Sequence, residues 1–90
     1  MKVSFDPAKR AKTLAERRLD FADAAEVFAG RHTVEADERR DYGEPRFISA
    51  GLLHGRVVVL AWTPRGAVRR VISMRHAHER ENDEWRRRLG

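Results

Sequence analysis

Lys2, Val3, Ser4 and Phe5 alternate polar with apolar, the period of a short strand. Asp6-Pro7 follows, an N-cap with proline at the first helical position, and predicts a helix over Pro7–Arg18. Along it Ala8, Ala11, Leu14 and Ala15 form an apolar stripe, with Lys9, Arg10, Lys12, Glu16 and Arg17 mostly around the rest. A second start stands at Asp20. Phe21, Ala24, Ala25 and Phe28 recur at i, i+3, i+4 and i+7, and Gly30 is placed to end that helix.

Past Gly30 the pattern turns to strands. His32–Ala36 predicts one, and the polar run Asp37–Glu44, closing on Tyr42-Gly43-Glu44-Pro45, predicts a loop. Arg46–Leu53 and Arg56–Thr63 predict two more strands, joined at His54-Gly55 by a two-residue hairpin turn. Val57–Trp62 is apolar without interruption, as in a strand covered on both faces. Pro64-Arg65-Gly66 predicts a tight turn, and Ala67–Ser73 the strand that pairs back. From about Met74 to Leu89 the pattern is helical but charged, its stripe of Ala77, Glu81, Trp85 and Leu89 only partly apolar. The expected architecture is one α+β domain over residues 1–90, of order β-α-α-β-β-β-β-α. An antiparallel meander sheet would carry the two N-terminal helices packed on one face.

Ninety residues lie near the lower end of what folds without staples, and with no cysteine neither a disulfide nor a thiolate metal site can supply one. Stability must come from a compact core, for which a 41% hydrophobic content including two Trp and four Phe suffices. Charge changes the picture more. Nineteen Lys+Arg against fourteen Asp+Glu give +5, and only Lys2, Lys9 and Lys12 are lysine. The planar guanidinium binds phosphate bidentately and stacks on bases, so this balance points toward nucleic acid. The competing reading is a well-solvated surface from a GC-rich genome. Met1–Phe5 lacks the apolar run of a signal peptide, and Val57–Trp62 is too short to cross a bilayer. A soluble, cytoplasmic protein with no membrane contact is expected.

Several chemistries drop out. There is no Walker loop and no G-x-G-x-x-G. His76 and His78, i and i+2 on the predicted last helix, point apart, His54 sits in a turn and His32 stands alone, so no metal set forms. No serine is framed as a nucleophile. What remains is the arginine-rich stretch Thr63–Arg75. In Ala67–Ser73, Val68, Arg70 and Ile72 share one face and Arg69, Val71 and Ser73 the other, so an arginine interrupts an apolar row on either side. A charge there is costly unless it is paired or opens on a cleft. With Arg65 and Arg75 these side chains converge on an anion, or else they form salt bridges to Asp37, Glu38, Asp41 or Glu44. Tyr42 either stacks on a base or packs the loop at Gly43.

Four motifs in order carry a resemblance: Phe5-Asp6-Pro7-x-Lys9; Phe21-x-x-Ala24-x-x-Val27-Phe28; Asp41-Tyr42-Gly43-Glu44-x-Arg46; and Thr63-x-Arg65 with Arg70-Val71-Ile72-Ser73-x-Arg75-x-Ala77, Glu81 and Trp85. From Met1 to about Trp85 the chain resembles the BrnT family, the toxins of BrnT–BrnA type II toxin–antitoxin pairs. The resemblance implies a RelE-like fold and an RNA-cleaving activity that blocks translation. It also implies neutralisation by a BrnA-type antitoxin with a ribbon-helix-helix domain, so that DNA is met only indirectly, through the antitoxin. Departures are Phe5 for tryptophan, Trp85 for tyrosine, and Thr13, Arg17 and Arg18 where the family carries Asn, His and Gly. The lost histidine removes one candidate proton carrier.

The mechanism so implied needs no metal and no cofactor. The substrate's 2′-OH attacks the adjacent phosphate, which requires cations for the developing charge and groups to move protons. Arg65, Arg70 and Arg75 are the candidate cations, and Lys9, Glu81 or His76 the candidate proton carriers. Tyr42, Arg46 and His76 are candidate RNA contacts. Arg69 is expected to be solvated or salt-bridged. The alternatives are a catalytically weak module that serves only as antitoxin partner, and an interaction domain with structural arginines.

Overall fold

The computed structural model describes residues 1–90. Strand β1 (Val3–Ser4) leads into helix α1 (Pro7–Arg17), which ends with Arg18 in the left-handed region at φ 58°. A 3-10 turn, Phe21–Asp23, runs into α2 (Ala24–Ala29), with the Asp20 carboxylate accepting from the Ala22 N–H. Four strands follow: β2 (Glu35–Ala36), β3 (Phe47–Leu53), β4 (Arg56–Arg65) and β5 (Val68–His76); then α3 (Glu79–Leu89). The five strands form one sheet in the order β1-β5-β4-β3-β2. The mixed α+β class holds, with three helices and five strands. In detail the order differs from expectation, since a 3-10 turn precedes α2 and β1 joins β5 in parallel, so the sheet is more than an antiparallel meander.

β4 is the centre. From Val57 to Thr63 every residue is buried, and its two faces meet two different cores. Val58, Leu60 and Trp62 lie with Val71 and Met74 under Leu19, Phe21, Ala24, Val27 and Phe28 of the helix layer. Val57 and Val59 lie with Ala50 on the other face, where Ile48, Ala77 and Trp85 of the α3 side cover them. The Trp62 indole N–H donates to Ser49 Oγ at 2.9 Å, which satisfies its polar edge inside the larger core. Gly51 lets α2 come close: a Cβ there would stand 2.7 Å from Val27 Cγ1. At the β3–β4 turn His54 (φ 51°) and Gly55 (φ 78°) both take positive φ, the geometry of a type I′ hairpin.

Four local expectations change. Pro64 and Arg65 extend β4 rather than start the turn, which falls at Gly66-Ala67. Proline is tolerated there because β3 pairing stops at Phe47↔Trp62, so Pro64 lies where β4 has lost that neighbour. β5 runs on to His76, and the last helix starts at Glu79, not Met74. The register jumps between Ala61↔Ser73 and Trp62↔Val71, so Ile72 is an extra residue, and this bulge swaps the faces of all that follows. Met74 thereby enters the helix-side core, fully buried, instead of beginning a helix. His76 therefore lies in a strand and His78 caps α3. The predicted strand at His32–Ala36 shrinks to Glu35–Ala36, with His32 adding only an isolated bridge to Gly51.

The stripe on α1 also faces the other way. α1 buries no residue: Ala8, Ala11 and Ala15 are exposed and Leu14 is 45% exposed. Its inward side is polar. Arg10 donates to both Asp20 oxygens (2.8 and 2.9 Å), and Arg17 donates to the Met74 carbonyl (3.0 Å). Small alanines gain little from burial, whereas two anchored guanidiniums fix the rotation of the helix. None of the three helices is long and apolar enough to cross a membrane. Replacing Leu14 with Ala is expected to change unfolding free energy by no more than about 0.5 kcal/mol. Met74→Ala is expected to cost about 2–5 kcal/mol; urea denaturation of the two variants measures both.

Candidate nucleic-acid interface

Paired residues across β4 and β5 share a face, so the register places the arginines. Arg65, Thr63 and Val59 of β4 stand on the face opposite the helix layer, and with them go Arg70, paired with Thr63, and Arg75, paired with Val59. The bulge is what unites them: without an extra residue, Arg70 and Arg75 would lie on opposite faces. They form a row, not a single cluster. At about 3.3 Å per residue, the rows of Arg65 and Arg70 are about 7 Å apart and those of Arg70 and Arg75 about 13 Å. Such spacing suits successive phosphates of a strand better than one anion.

The three differ in their partners. Arg75 is gripped by Glu81, whose carboxylate also accepts from the His78 backbone N–H (2.8 Å) and from the Trp85 indole (3.2 Å). Glu81 also closes the capping box of α3, so the helix start and the arginine are set by one side chain. Its bond with Arg75, helped by the other donors, holds the carboxyl at about 2. Arg65 donates to Glu44 at 3.1 Å, and Arg46 reaches the same carboxylate at 3.4 Å. Arg70 is half-buried on the sheet and has no carboxylate partner. The salt-bridge alternative thus describes Arg65 and not Arg70.

The loop between β2 and β3 makes the opposite wall. Asp37, buried to 8% exposure, accepts two bonds from the Arg39 guanidinium (both 2.8 Å) and one from the Tyr42 hydroxyl (3.2 Å). The Arg39 bonds hold the Asp37 carboxyl at about 2. Arg46 lies over the Tyr42 ring, 4.0 Å from its centroid. Tyr42 therefore packs and braces the loop, its hydroxyl already engaged. Between this loop and α3 opens a cleft of about 330 Å³, with Ser73 and Ala61 among its lining and Arg39, Arg75 and Trp85 around it.

Two other expected residues stand elsewhere. Lys9 is exposed on α1, in the helix layer across the sheet. His76 pairs with Val58 and so faces the helix side, opposite Arg75. Arg69 forms no salt bridge and is half-buried. Its guanidinium lies over Phe28 (4.6 Å) and Trp62 (4.2 Å), contacts His32 Nε2 at 3.4 Å, and burial pushes its pKa down. An arginine in an apolar row can be satisfied by ring faces instead of an anion. Sequence reasoning missed Arg39 and Ser73 as parts of the cleft. Arg39 sits in a uniformly charged run, and Ser73 reaches this face only through the bulge.

Fold and site together define a small mixed α+β protein whose sheet carries a row of arginines on the face away from its helix layer. A family model described as the ribonuclease toxin, BrnT, of type II toxin–antitoxin systems matches residues 5–81, and the chain belongs to that family. The curated proteins compared with the chain contain no match to it. Membership implies an RNA target and an antitoxin partner.

Glu81 has a measurable signature. Its folded pKa lies below the ordinary 4.5, so its contribution to stability is complete above about that pH and is lost as pH falls toward 2. The melting temperature should drop across this window, and Glu81→Gln should flatten the drop. An unchanged acid slope would show that the Arg75–Glu81 bond adds nothing to the fold.

Proposed function

We propose that this chain is a metal-independent endoribonuclease that inhibits translation in the cytoplasm, using the arginine row to hold RNA. The observation that carries the reading is the placement of Arg65, Arg70 and Arg75 on one sheet face. There Arg75 is pre-oriented by Glu81 and Arg70 lacks a carboxylate partner. The 2′-oxygen attacks the neighbouring phosphorus, a bond from phosphorus to the 2′-oxygen forms, and the bond to the 5′-oxygen breaks. The 2′-OH proton departs and the leaving oxygen gains one. Charge develops on the non-bridging oxygens, where guanidiniums stabilise it more than in the ground state. Arg46 and Tyr42 form the wall along which the strand runs, and the RelE-like relation suggested by the resemblance belongs to the same proposal.

Glu81 fits positioning better than proton transfer, since a carboxylate held near 2 is a weak base at neutral pH. Lys9 and His76 present their side chains on the helix side of the sheet, across from the Arg75 cleft. With no strong base beside Arg75, water is the proton carrier in this scheme and the chemistry rests on positioning and charge. The same observation favours a second reading, a catalytically weak module that binds antitoxin and supports repression. In either case the partner is a BrnA-type ribbon-helix-helix antitoxin, which brings the DNA contact with it.

Purified protein incubated with RNA in the presence of a chelator should leave 2′,3′-cyclic ends. Arg70→Ala and Arg75→Ala should each lower the rate by about 10²–10³, the effect of removing one donor to a developing oxyanion. Full cleavage by Arg70→Ala would sink the assignment. Tight antitoxin binding with no cleavage by the unaltered protein selects the second reading.

A further inference from the structure

On the helix side of the sheet, where α1 ends against the β3–β4 hairpin and the end of β5, lies a second cleft of about 450 Å³. Arg17 and Arg18 enter it from the end of α1, His54 and Arg56 from the hairpin, and His76 from β5; its one acid is Asp23. Seven of the chain's sixteen guanidiniums meet carboxylates within 4 Å: those of Arg10, Arg39, Arg46, Arg65, Arg75, Arg87 and Arg88. Arg17, Arg18 and Arg56 meet none. Arg17 is held in place by the Met74 carbonyl, so one fork of the three is already fixed. His76 has no side-chain hydrogen bond, and its Nδ1 is buried without a partner.

We propose that this cleft is a phosphate-binding site, separate from the Arg75 cleft, whose ligand is a phosphate group held by Arg17, Arg18 and Arg56 with His76 beside it. Three planar forks around one pocket match the bidentate geometry of phosphate oxygens, which lone ammonium groups do not. Position strengthens the case. Arg75 and His76 are consecutive, so the two clefts lie on either side of the end of β5. A strand whose reacting phosphate lies at Arg75 can place a flanking phosphate here. Two sources share the chemistry, an RNA phosphodiester and a small free phosphate. The RNA source rests on the function proposed above; the site itself does not.

His76 reports on occupancy. Burial, and then Arg56, push its imidazole pKa below the ordinary value. Arg17, Arg18 and His54 face it from the same cleft as Asp23, while Glu79, Asp83 and Arg86 of α3 line the adjoining cleft it shares with Arg56. A bound phosphate adds negative charge against these cations and raises the pKa. NMR titration of the His76 ring in the full chain, at constant ionic strength, tests this with two probes, inorganic phosphate and a short single-stranded oligoribonucleotide.

Saturable shifts of His76 with a raised pKa are expected from both. Arg56→Ala and Arg18→Gly should each weaken the effect about ten- to a hundredfold, the loss of one charge-assisted bond. The glycine suits the left-handed φ at residue 18, so that variant keeps the fold. A response to inorganic phosphate alone assigns the site to small phosphates and removes RNA as the source. No response to either probe, or responses that both variants leave intact, overturns the proposal. So does a response only to an acidic peptide, which would make the cleft a protein-docking surface. Because the readout is binding at His76, loss of RNA cleavage elsewhere leaves the result interpretable.

Discussion

The burial of β4 on both faces is the constraint from which the rest follows. A strand with Val57, Val58, Val59, Leu60 and Trp62 all inside cannot rest one face in water. The helix layer serves one side with large residues, Phe21, Val27 and Phe28. The other side has a smaller core, Ala50 with Val57 and Val59, closed by Trp85 and Ala77. That thinner cover leaves room for a cleft between α3 and the β2–β3 loop, so the polar chemistry of the molecule collects where the apolar cover is incomplete.

Within that frame the arginines divide by how each is satisfied. Arg10 and Arg39 are each held by a carboxylate, that of Asp20 and that of Asp37. Arg69 is satisfied by the ring faces of Phe28 and Trp62 at the edge of the helix-side core, a role that a lysine, with no planar cation to stack, would fill poorly. Arg75 is charged, ordered and still partly open, which is the state of a preorganised electrostatic contact. Arg70, Arg18 and Arg56 have no anion of their own. A net charge of +5 therefore understates how unevenly the available cation is distributed.

Much of this was legible in the chain. The unbroken apolar run of β4, the hairpin at His54-Gly55 and the amphipathic face of Phe21, Ala24 and Phe28 each carry a period or a turn signal that the structure honours. The bulge at Ile72 carries none, because an inserted residue changes register without changing composition. It shifted the end of β5 and the faces of Ser73, Arg75 and His76. The rotation of α1 was hidden for another reason. Its alanines look apolar in a pattern, while the anchors of Arg10 and Arg17 are long-range partners that local sequence does not announce. For the site, Arg75 with Glu81 could be picked out through the resemblance; the burial of Asp37 and its clamp on Arg39 could not, since both sit in a run of charges that reads as solvated loop.

The parallel pairing of Val3 with Arg69 and of Ser4 with Arg70 ties β1 to a strand made more than sixty residues later. During synthesis the sheet cannot gain this edge until β5 has left the ribosome, since non-local pairing waits for its partner. Glu81 and Trp85, which orient Arg75, emerge later still. The order of translation thus delays assembly of the arginine row until α3 has been made, so a nascent fragment ending before α3 carries the cations without the carboxylate that aims them.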